Sequence, residues 1–104
     1  MKQLVAIVKP FRAESVLKAL AEMHLEAITV SEAKGFGRQK SYLDRYAESE
    51  YSLAYLPKVR ICCWVPDQRV DDVLREIVGA ARTGRIGDGK VFVLTLGHSG
   101  AIDF

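Results

Sequence analysis

The sequence predicts an α+β domain of four strands and two helices, in the order strand, helix, strand, strand, helix, strand. Short apolar runs that end at proline or glycine recur along the chain and indicate strands. Two other segments repeat their apolar residues at the spacing of an amphipathic helix. The 104 residues, 49% hydrophobic and 27% charged, suffice for one such domain and are too few for two. We therefore expect residues 1–104 to form a single domain.

The first half of the chain predicts a strand, a helix and a strand. Gln3 to Val8 is an apolar run that Lys9-Pro10 ends, because proline cannot donate a hydrogen bond to a β-ladder. From Ala13 to about His24, apolar residues at helical spacing predict an amphipathic helix. Ala27 to Ala33 alternates apolar and polar residues, which predicts a second strand.

The second half repeats this pattern after a long loop. Residues 38–54 are polar, charged and tyrosine-rich without a period, and a loop of that length in a compact domain is usually functional. Lys58 to Val65 predicts a strand, Asp67 is expected to cap a helix that Gly84 ends, and Val91 to Leu96 predicts the last strand. This order is that of a ferredoxin-like sandwich.

Composition excludes several classes of function. The net charge of +2 comes from mixed charges spread along the chain, which gives no support to nucleic-acid binding. The apolar stretches are shorter than the roughly 18 to 20 residues that span a bilayer, and no signal peptide is recognisable, so we expect a cytoplasmic protein without membrane insertion. Cys62 and Cys63 are neighbours on a predicted strand and point to opposite faces, which indicates two small buried thiols rather than a disulfide.

Two glycine-rich segments, residues 35–40 and 83–90, are candidates for binding phosphate. Successive glycines let backbone N–H groups approach an anion, and each segment carries adjacent cationic residues. Neither segment matches the P-loop or the dinucleotide fingerprint, so on these grounds alone a plain turn is the simpler interpretation.

Four blocks of the sequence resemble the PII signalling family. The segment K-G-F-G-R-Q-K from Lys34 to Lys40 resembles the base of the family's T-loop, and Leu56-Pro57-Lys58-Val59 resembles its return. The segment A-A-R-T-G-R-I-G-D-G-K-V-F-V resembles the family's C-terminal signature, and Lys9-Pro10-Phe11 fits its start. The blocks occur in family order and spacing, so the resemblance covers about residues 1–96.

The resemblance implies a homotrimer that binds an adenine nucleotide, ADP, AMP or ATP, in clefts between subunits. It implies that 2-oxoglutarate binds through Mg²⁺ on the nucleotide, with Gln39 as a metal ligand and Lys58 pairing a carboxylate. The T-loop would span about residues 37–55. The residues that it nominates for nucleotide binding are Ile7, Thr29, Gly35, Phe36, Gly37, Arg38, Gln39, Trp64, Gly87, Asp88, Gly89 and Lys90.

The sequence departs from the family pattern at the nucleotide site. Family members carry arginines after the last strand that hold the terminal phosphates of ATP, whereas residues 97–104 here contain Asp103 and no arginine. Cys62 replaces an acidic residue near the ribose, and Trp64 replaces a small residue near the adenine, where it could stack on the base or be buried in the core. We therefore expect ADP or AMP to bind at least as tightly as ATP.

Two loop residues are candidates for modification. Tyr51 occupies the position that is uridylylated in enteric-type members, and Ser49 the position that is phosphorylated in some cyanobacterial members. The residues before Tyr51 differ from the usual small, glycine-bearing context, so both modifications stay open. His24 and His98 have no ligand-like companions, so surface or capping roles are expected for them rather than a metal site.

The leading hypothesis is a regulatory protein, not an enzyme, whose T-loop docks on a membrane transporter or an enzyme according to what its clefts hold. It has two versions: a nitrogen regulator that uses 2-oxoglutarate, and a divergent paralogue that senses ADP or AMP with bicarbonate and regulates inorganic-carbon uptake. A phosphoryl- or acyl-transfer enzyme is the alternative from another class, but no catalytic set occurs at useful spacing. A purely structural oligomer would bind no ligand.

Overall fold

The computed structural model describes residues 1–35, 56–85, 88–97, 100 and 102. The predicted order of strands and helices is confirmed within these ranges. The elements are β1 (Lys2–Val8), α1 (Pro10–Glu22), β2 (Ile28–Gly35), β3 (Leu56–Val65), a 3₁₀ turn (Asp67–Arg69), α2 (Val70–Ala81) and β4 (Gly89–Thr95).

The four strands form one sheet in the order β2-β3-β1-β4, and every neighbouring pair is antiparallel. β1 is central, so Leu4 pairs with Cys63 of β3 on one side and with Val93 of β4 on the other. The strand order and the two helices confirm the ferredoxin-like fold. β2 and β4 form the two edges of this sheet.

The helices pack on one face of the sheet, where the core lies. Every second residue of β1, Leu4, Ala6 and Val8, is at most 2% exposed. These side chains join buried residues of β3, α1 and α2 in one apolar cluster. Because side chains alternate along a strand, the residues between them point to the opposite face, which we call the open face.

The open face carries apolar side chains that the single chain leaves accessible. Its cross-strand rows join Gln3 to Trp64 and Leu94, and Val5 to Cys62 and Phe92. Trp64, Phe92 and Leu94 are 37%, 50% and 45% exposed. A large exposed apolar area on a sheet indicates a surface that another molecule covers.

The two cysteines are free and buried, as the sequence predicts. Burial, followed by the neighbouring Cys62, raises the pKa of the Cys63 thiol to about 11. Since the thiolate is the reactive form, Cys63 is an inert core residue at neutral pH.

Several predicted boundaries differ from the structure, by one or two residues at the strand ends and in three respects at the helices. α1 begins at Pro10 rather than at Ala13, because the first position of a helix needs no N–H donor and suits the fixed φ of proline. The prediction that Asp67 caps α2 was wrong: Asp67 belongs to the 3₁₀ turn and accepts a hydrogen bond of 2.7 Å from the Met1 amine, and α2 has no side-chain cap. α2 ends at Ala81, three residues before Gly84.

Arginine side chains cover the carboxyl ends of both helices. Arg12 of α1 donates from Nε to the Ala80 carbonyl oxygen of α2 at 2.9 Å, and Arg69 donates to the Met23 carbonyl oxygen after α1 at 2.7 Å. These bonds satisfy carbonyl groups that have no donor within their own helix. The bond from Arg12 also joins the two helices directly. Among the described residues, no helix is long and apolar enough to cross a membrane.

Candidate functional site

A cleft of about 470 Å³ lies between α2 and the edge strand β4, and we call it the β4 cleft. Four of the residues nominated from the sequence line it: Ile7, Asp88, Gly89 and Lys90. Leu74 and Val78 of α2 supply apolar wall, and Arg82 lies at the end of that helix. The β4 cleft therefore combines an apolar wall with cationic side chains, which suits an amphipathic anion.

Gly89 sets the geometry of this cleft. Its φ is +128°, and a Cβ atom built on it would lie 1.8 Å from the carbonyl oxygen of Ile7. No residue with a side chain can occupy this position without moving β1 or β4. The glycine thus lets the chain enter β4 in close contact with β1.

Asp88 holds the turn between α2 and β4 closed. Its carboxylate accepts hydrogen bonds from the backbone N–H of Thr83 at 2.8 Å and of Gly84 at 3.0 Å, and another from the Thr83 hydroxyl. The same carboxylate lies 3.1 Å from Lys9 Nζ. The Thr83 hydroxyl above all, with the backbone donors and Lys9, holds the pKa of Asp88 well below its usual range, although desolvation opposes this shift. The Asp88 side chain is therefore engaged within the chain.

A second groove, of about 520 Å³, lies where β2 and β3 approach the long loop, and we call it the loop-base groove. Lys58 lines it and is only 4% exposed, and Glu32, Lys34 and Pro57 lie beside it. Burial, and then the charge of Lys9, lower the pKa of Lys58, while Asp88 opposes the shift. An anion placed near Lys58 would offset both unfavourable effects.

Lys9 was not nominated as a site residue, yet it joins the two regions. Val8 pairs with Val59 and with Gly89, so the next residues in register, Lys58 and Asp88, flank Lys9. The strand pairing alone places Lys9 between Lys58 and Asp88, because extending the register by one residue beyond Val8 brings these three residues opposite one another. The amino-acid sequence alone does not specify which residues pair across the sheet, so it does not predict this position of Lys9.

Other nominated residues lie apart from the β4 cleft. Trp64 pairs with Gln3, four residues from Ile7 along β1, which corresponds to about 13 Å. Thr29 pairs with Cys62 on the far side of β3, and Gly35 ends β2 opposite Leu56. None of the three lines the cleft.

The remaining candidates lie outside the described residues. They are Phe36, Gly37, Arg38, Gln39, Ser49, Tyr51, Gly87 and the T-loop of residues 37–55. The described ranges contain no group of three or more His, Cys, Asp or Glu side chains that could hold a metal ion.

Comparison with known proteins agrees with this fold and with the sequence blocks. The family model described as nitrogen regulatory protein P-II matches residues 1–102. The nitrogen regulatory protein P-II of Rhodobacter capsulatus is 48% identical over 96 residues, which cover 92% of this chain and 86% of the relative. Those of Rhizobium meliloti (strain 1021) and Escherichia coli (strain K12), the latter named P-II 1, are each 50% identical over 93 residues, covering 89% of this chain and 83% of the relative.

The names of these relatives refer to nitrogen regulation. They give no support to the alternative hypothesis, a paralogue that regulates inorganic-carbon uptake. A family model that covers nearly the whole chain, together with relatives at this level of identity, decides the assignment. The chain belongs to the nitrogen regulatory protein P-II family, whose members are signal-transducing regulators and not enzymes.

Proposed function

We propose that this protein binds an adenine nucleotide in the β4 cleft and reports its occupancy to a partner protein through the T-loop of residues 37–55. The observation that carries the proposal is the composition of the cleft, whose lining includes Ile7, Gly89 and Lys90 together with the apolar residues Leu74 and Val78 of α2. An apolar wall suits the base and sugar, and Lys90 with the backbone at Gly89 suits phosphate. Nitrogen regulation is the process in which this signal would act.

The nucleotide is expected to be ADP or AMP at least as readily as ATP, because residues 97–104 contain no arginine for a third phosphate. Mg²⁺ would accompany a nucleotide that presents two or more phosphates, with Gln39 as the nominated protein ligand. Ile7 and Asp88, which line the cleft, belong to the proposed site in one chain. The other residues proposed for it are Gly35, which lies at the end of β2 apart from the cleft, and Phe36, Gly37, Arg38 and Gly87.

A small metabolite anion is proposed to bind at the loop base. Lys58 supports this proposal, because it is a buried cation whose pKa is lowered by burial and by Lys9, so that a carboxylate beside it is favoured. The metabolite proposed is 2-oxoglutarate, held by Lys58 and, through Mg²⁺, by Gln39. The names of the relatives favour this ligand over bicarbonate.

A homotrimer is proposed as the working form, with Thr29 and Trp64 of one copy completing the cleft of another. Two observations support it: these residues lie away from the β4 cleft of their own chain, and the open face exposes Trp64, Phe92 and Leu94. Each copy, residues 1–104, is proposed to be one domain. The partner that the T-loop contacts is proposed to be a membrane transporter or an enzyme, and modification at Tyr51 or Ser49 stays a prediction.

Isothermal titration calorimetry tests the proposal with ATP, ADP, AMP and adenosine, each with and without Mg²⁺ and 2-oxoglutarate. Saturable binding of ADP without turnover, strengthened for phosphate-bearing ligands relative to adenosine, is the expected result. Lys90→Ala should weaken the phosphate-bearing ligands and leave adenosine unchanged. Absence of saturable binding by all four ligands would refute the proposal, and binding of ATP more than about tenfold tighter than ADP, or about 1.4 kcal/mol, would refute the expected preference.

A further inference from the structure

Of the two cations nominated for the nucleotide site, Lys90 lines the β4 cleft and Arg38 lies outside the described residues, so the described wall of the cleft holds a single nominated positive charge. One lysine in the β4 cleft, Lys90, cannot balance a diphosphate, and the chain has no arginine or lysine between residues 97 and 104 to assist it. A buried or partly buried phosphate without countercharge is unfavourable, so the cleft wall must supply another cation if a diphosphate binds there.

Nearby cations differ in whether they are available. Lys9 lies 3.1 Å from the Asp88 carboxylate, and Arg12 donates to the Ala80 carbonyl oxygen. Arg82 lines the β4 cleft together with Lys90. Within the part of the chain that the structure describes, the side chains of Arg82 and Lys90 form no hydrogen bond or ion pair.

The backbone position of Arg82 is fixed, and no hydrogen bond or ion pair to another described residue holds its side chain. Arg82 follows the last residue of α2 in an extended conformation, and its backbone N–H donates to the Val78 carbonyl oxygen at 3.0 Å. Arg12 already donates to a carbonyl group at the end of α2, so the helix does not require the Arg82 guanidinium as a cap. The Arg82 side chain is also solvent-exposed, so turning toward a ligand costs no buried contact.

We infer that Arg82 is the second phosphate-binding cation of the β4 cleft, where it acts with Lys90 on the diphosphate of a bound adenine nucleotide. The inference rests on the proposed function. A guanidinium presents a planar pair of donors that matches two phosphate oxygens, and it keeps its charge at every physiological pH. Arg82 thus supplies the positive charge that residues 97–104, which contain no arginine or lysine, cannot supply. Arg82 and Lys90 together match the two phosphates of ADP. The third phosphate of ATP would gain no additional cationic partner from these two residues.

Titration calorimetry with four variants tests this role. Arg82→Gln removes the charge, Arg82→Lys restores it without the planar donors, and Lys90→Gln removes the other cation. Arg75→Gln is the matched control, because Arg75 is an exposed arginine of the same helix that pairs with Asp72 and does not line the cleft. The ligands are ADP, AMP and adenosine at one salt concentration, and thermal unfolding without ligand checks that each variant is folded.

Arg82→Gln should weaken ADP about tenfold or more, AMP less, and adenosine not at all, since the charge acts on phosphates. Arg82→Lys should recover part of the ADP affinity, and Arg75→Gln should bind like the unsubstituted protein. Equal ADP affinity in Arg82→Gln and Arg75→Gln would overturn the inference and leave the proposed function intact. An equal loss for ADP and adenosine would also overturn it, because Arg82 would then act through the fold. Failure of the unsubstituted protein to bind ADP would overturn both.

Discussion

At the scale of single residues, three glycines differ in what an added methyl group would meet. At Gly89 the new Cβ would lie 1.8 Å from a β1 carbonyl oxygen, and the φ of +128° is unfavourable for any side chain. Gly84 has a φ of +85° but open space around it, and Gly79, within α2, has neither a positive φ nor a neighbour within 4 Å. The three positions separate the effects of steric overlap, backbone conformation and helix propensity.

Gly89→Ala should lower the free energy of unfolding by about 3 kcal/mol or more, because strand pairing must yield to the overlap. Gly84→Ala should cost about 1 kcal/mol from the left-handed conformation alone, and Gly79→Ala should stabilise α2 by about 0.5–1 kcal/mol. Urea unfolding at one protein concentration measures all three. A loss at Gly89 no larger than that at Gly84 would contradict the role assigned to the close approach to Ile7.

Asp88 should make the stability depend on pH in the acid range. Its pKa in the folded state lies below the ordinary value, so protonation favours the unfolded state. The contribution is complete above the ordinary pKa of about 3.9 and is lost as the pH falls toward the folded-state pKa.

Asp88→Asn should therefore cost about 1–2 kcal/mol at pH 7, through the lost charge-assisted bonds to Thr83 and Lys9. The difference between the two proteins should shrink below about pH 4, as the unsubstituted protein loses the same contribution. Urea unfolding between pH 7 and pH 2.5 measures this difference. If the difference in the free energy of unfolding stayed constant from pH 7 to pH 2.5, Asp88 would contribute through its packing and not through its negative charge.

At the scale of elements, the sequence predicted the kind and order of every strand and helix but not all of their ends. The apolar periods locate the buried faces, because burial against the sheet is what creates them. They do not locate a helix start such as Pro10, where backbone geometry and not apolar spacing decides. Asp67 illustrates the same limit, since its carboxylate binds the Met1 amine, a group distant in sequence, in place of the helix that follows it.

The bond from Arg12 between the two helices should contribute measurably to stability. Arg12→Met keeps the aliphatic stem but removes the donors to the Ala80 carbonyl, and it should cost about 1–2 kcal/mol. Arg75→Met is the control, because its ion pair with Asp72 is exposed on both sides and should matter by less than about 0.5 kcal/mol. Thermal or urea unfolding distinguishes the two variants. Equal losses would mean that the bond from Arg12 adds nothing beyond an exposed ion pair.

At the scale of the whole molecule, only some of the site residues predicted from the resemblance come together within one chain. Ile7, Gly89 and Lys90 meet in the β4 cleft because strand register brings them together. Thr29 and Trp64 do not reach it, because they lie on other rows of the open face. Arg82 was present in a recognised block, but only the packing of α2 beside β4 indicates that it lines the cleft. The resemblance thus identifies segments of the chain, and the packing shows which of their residues line a common cleft.

The open face should be the surface through which copies associate. Phe92 and Val30 are exposed to nearly the same extent, 50% and 51%, but Phe92 lies on the open face, whereas Val30 pairs with the core residue Ile61 and lies on the helix side. Phe92→Glu would bury an unpaired carboxylate between copies, which costs several kcal/mol, whereas Val30→Glu would leave its carboxylate in water. The two variants therefore add the same charge and differ only in the face that carries it.

Multi-angle light scattering at micromolar concentration should give the mass of a trimer for the unsubstituted protein and for Val30→Glu, and a lower mass for Phe92→Glu. Trp64, the single tryptophan of the chain, lies on the same face and is 37% exposed in one copy, so its emission should shift to longer wavelength when Phe92→Glu separates the copies. Far-UV circular dichroism checks that both variants keep their fold. A monomer mass for the unsubstituted protein would contradict the proposed trimer. A trimer mass for Phe92→Glu, with Trp64 emission unchanged, would mean that the copies associate through another surface.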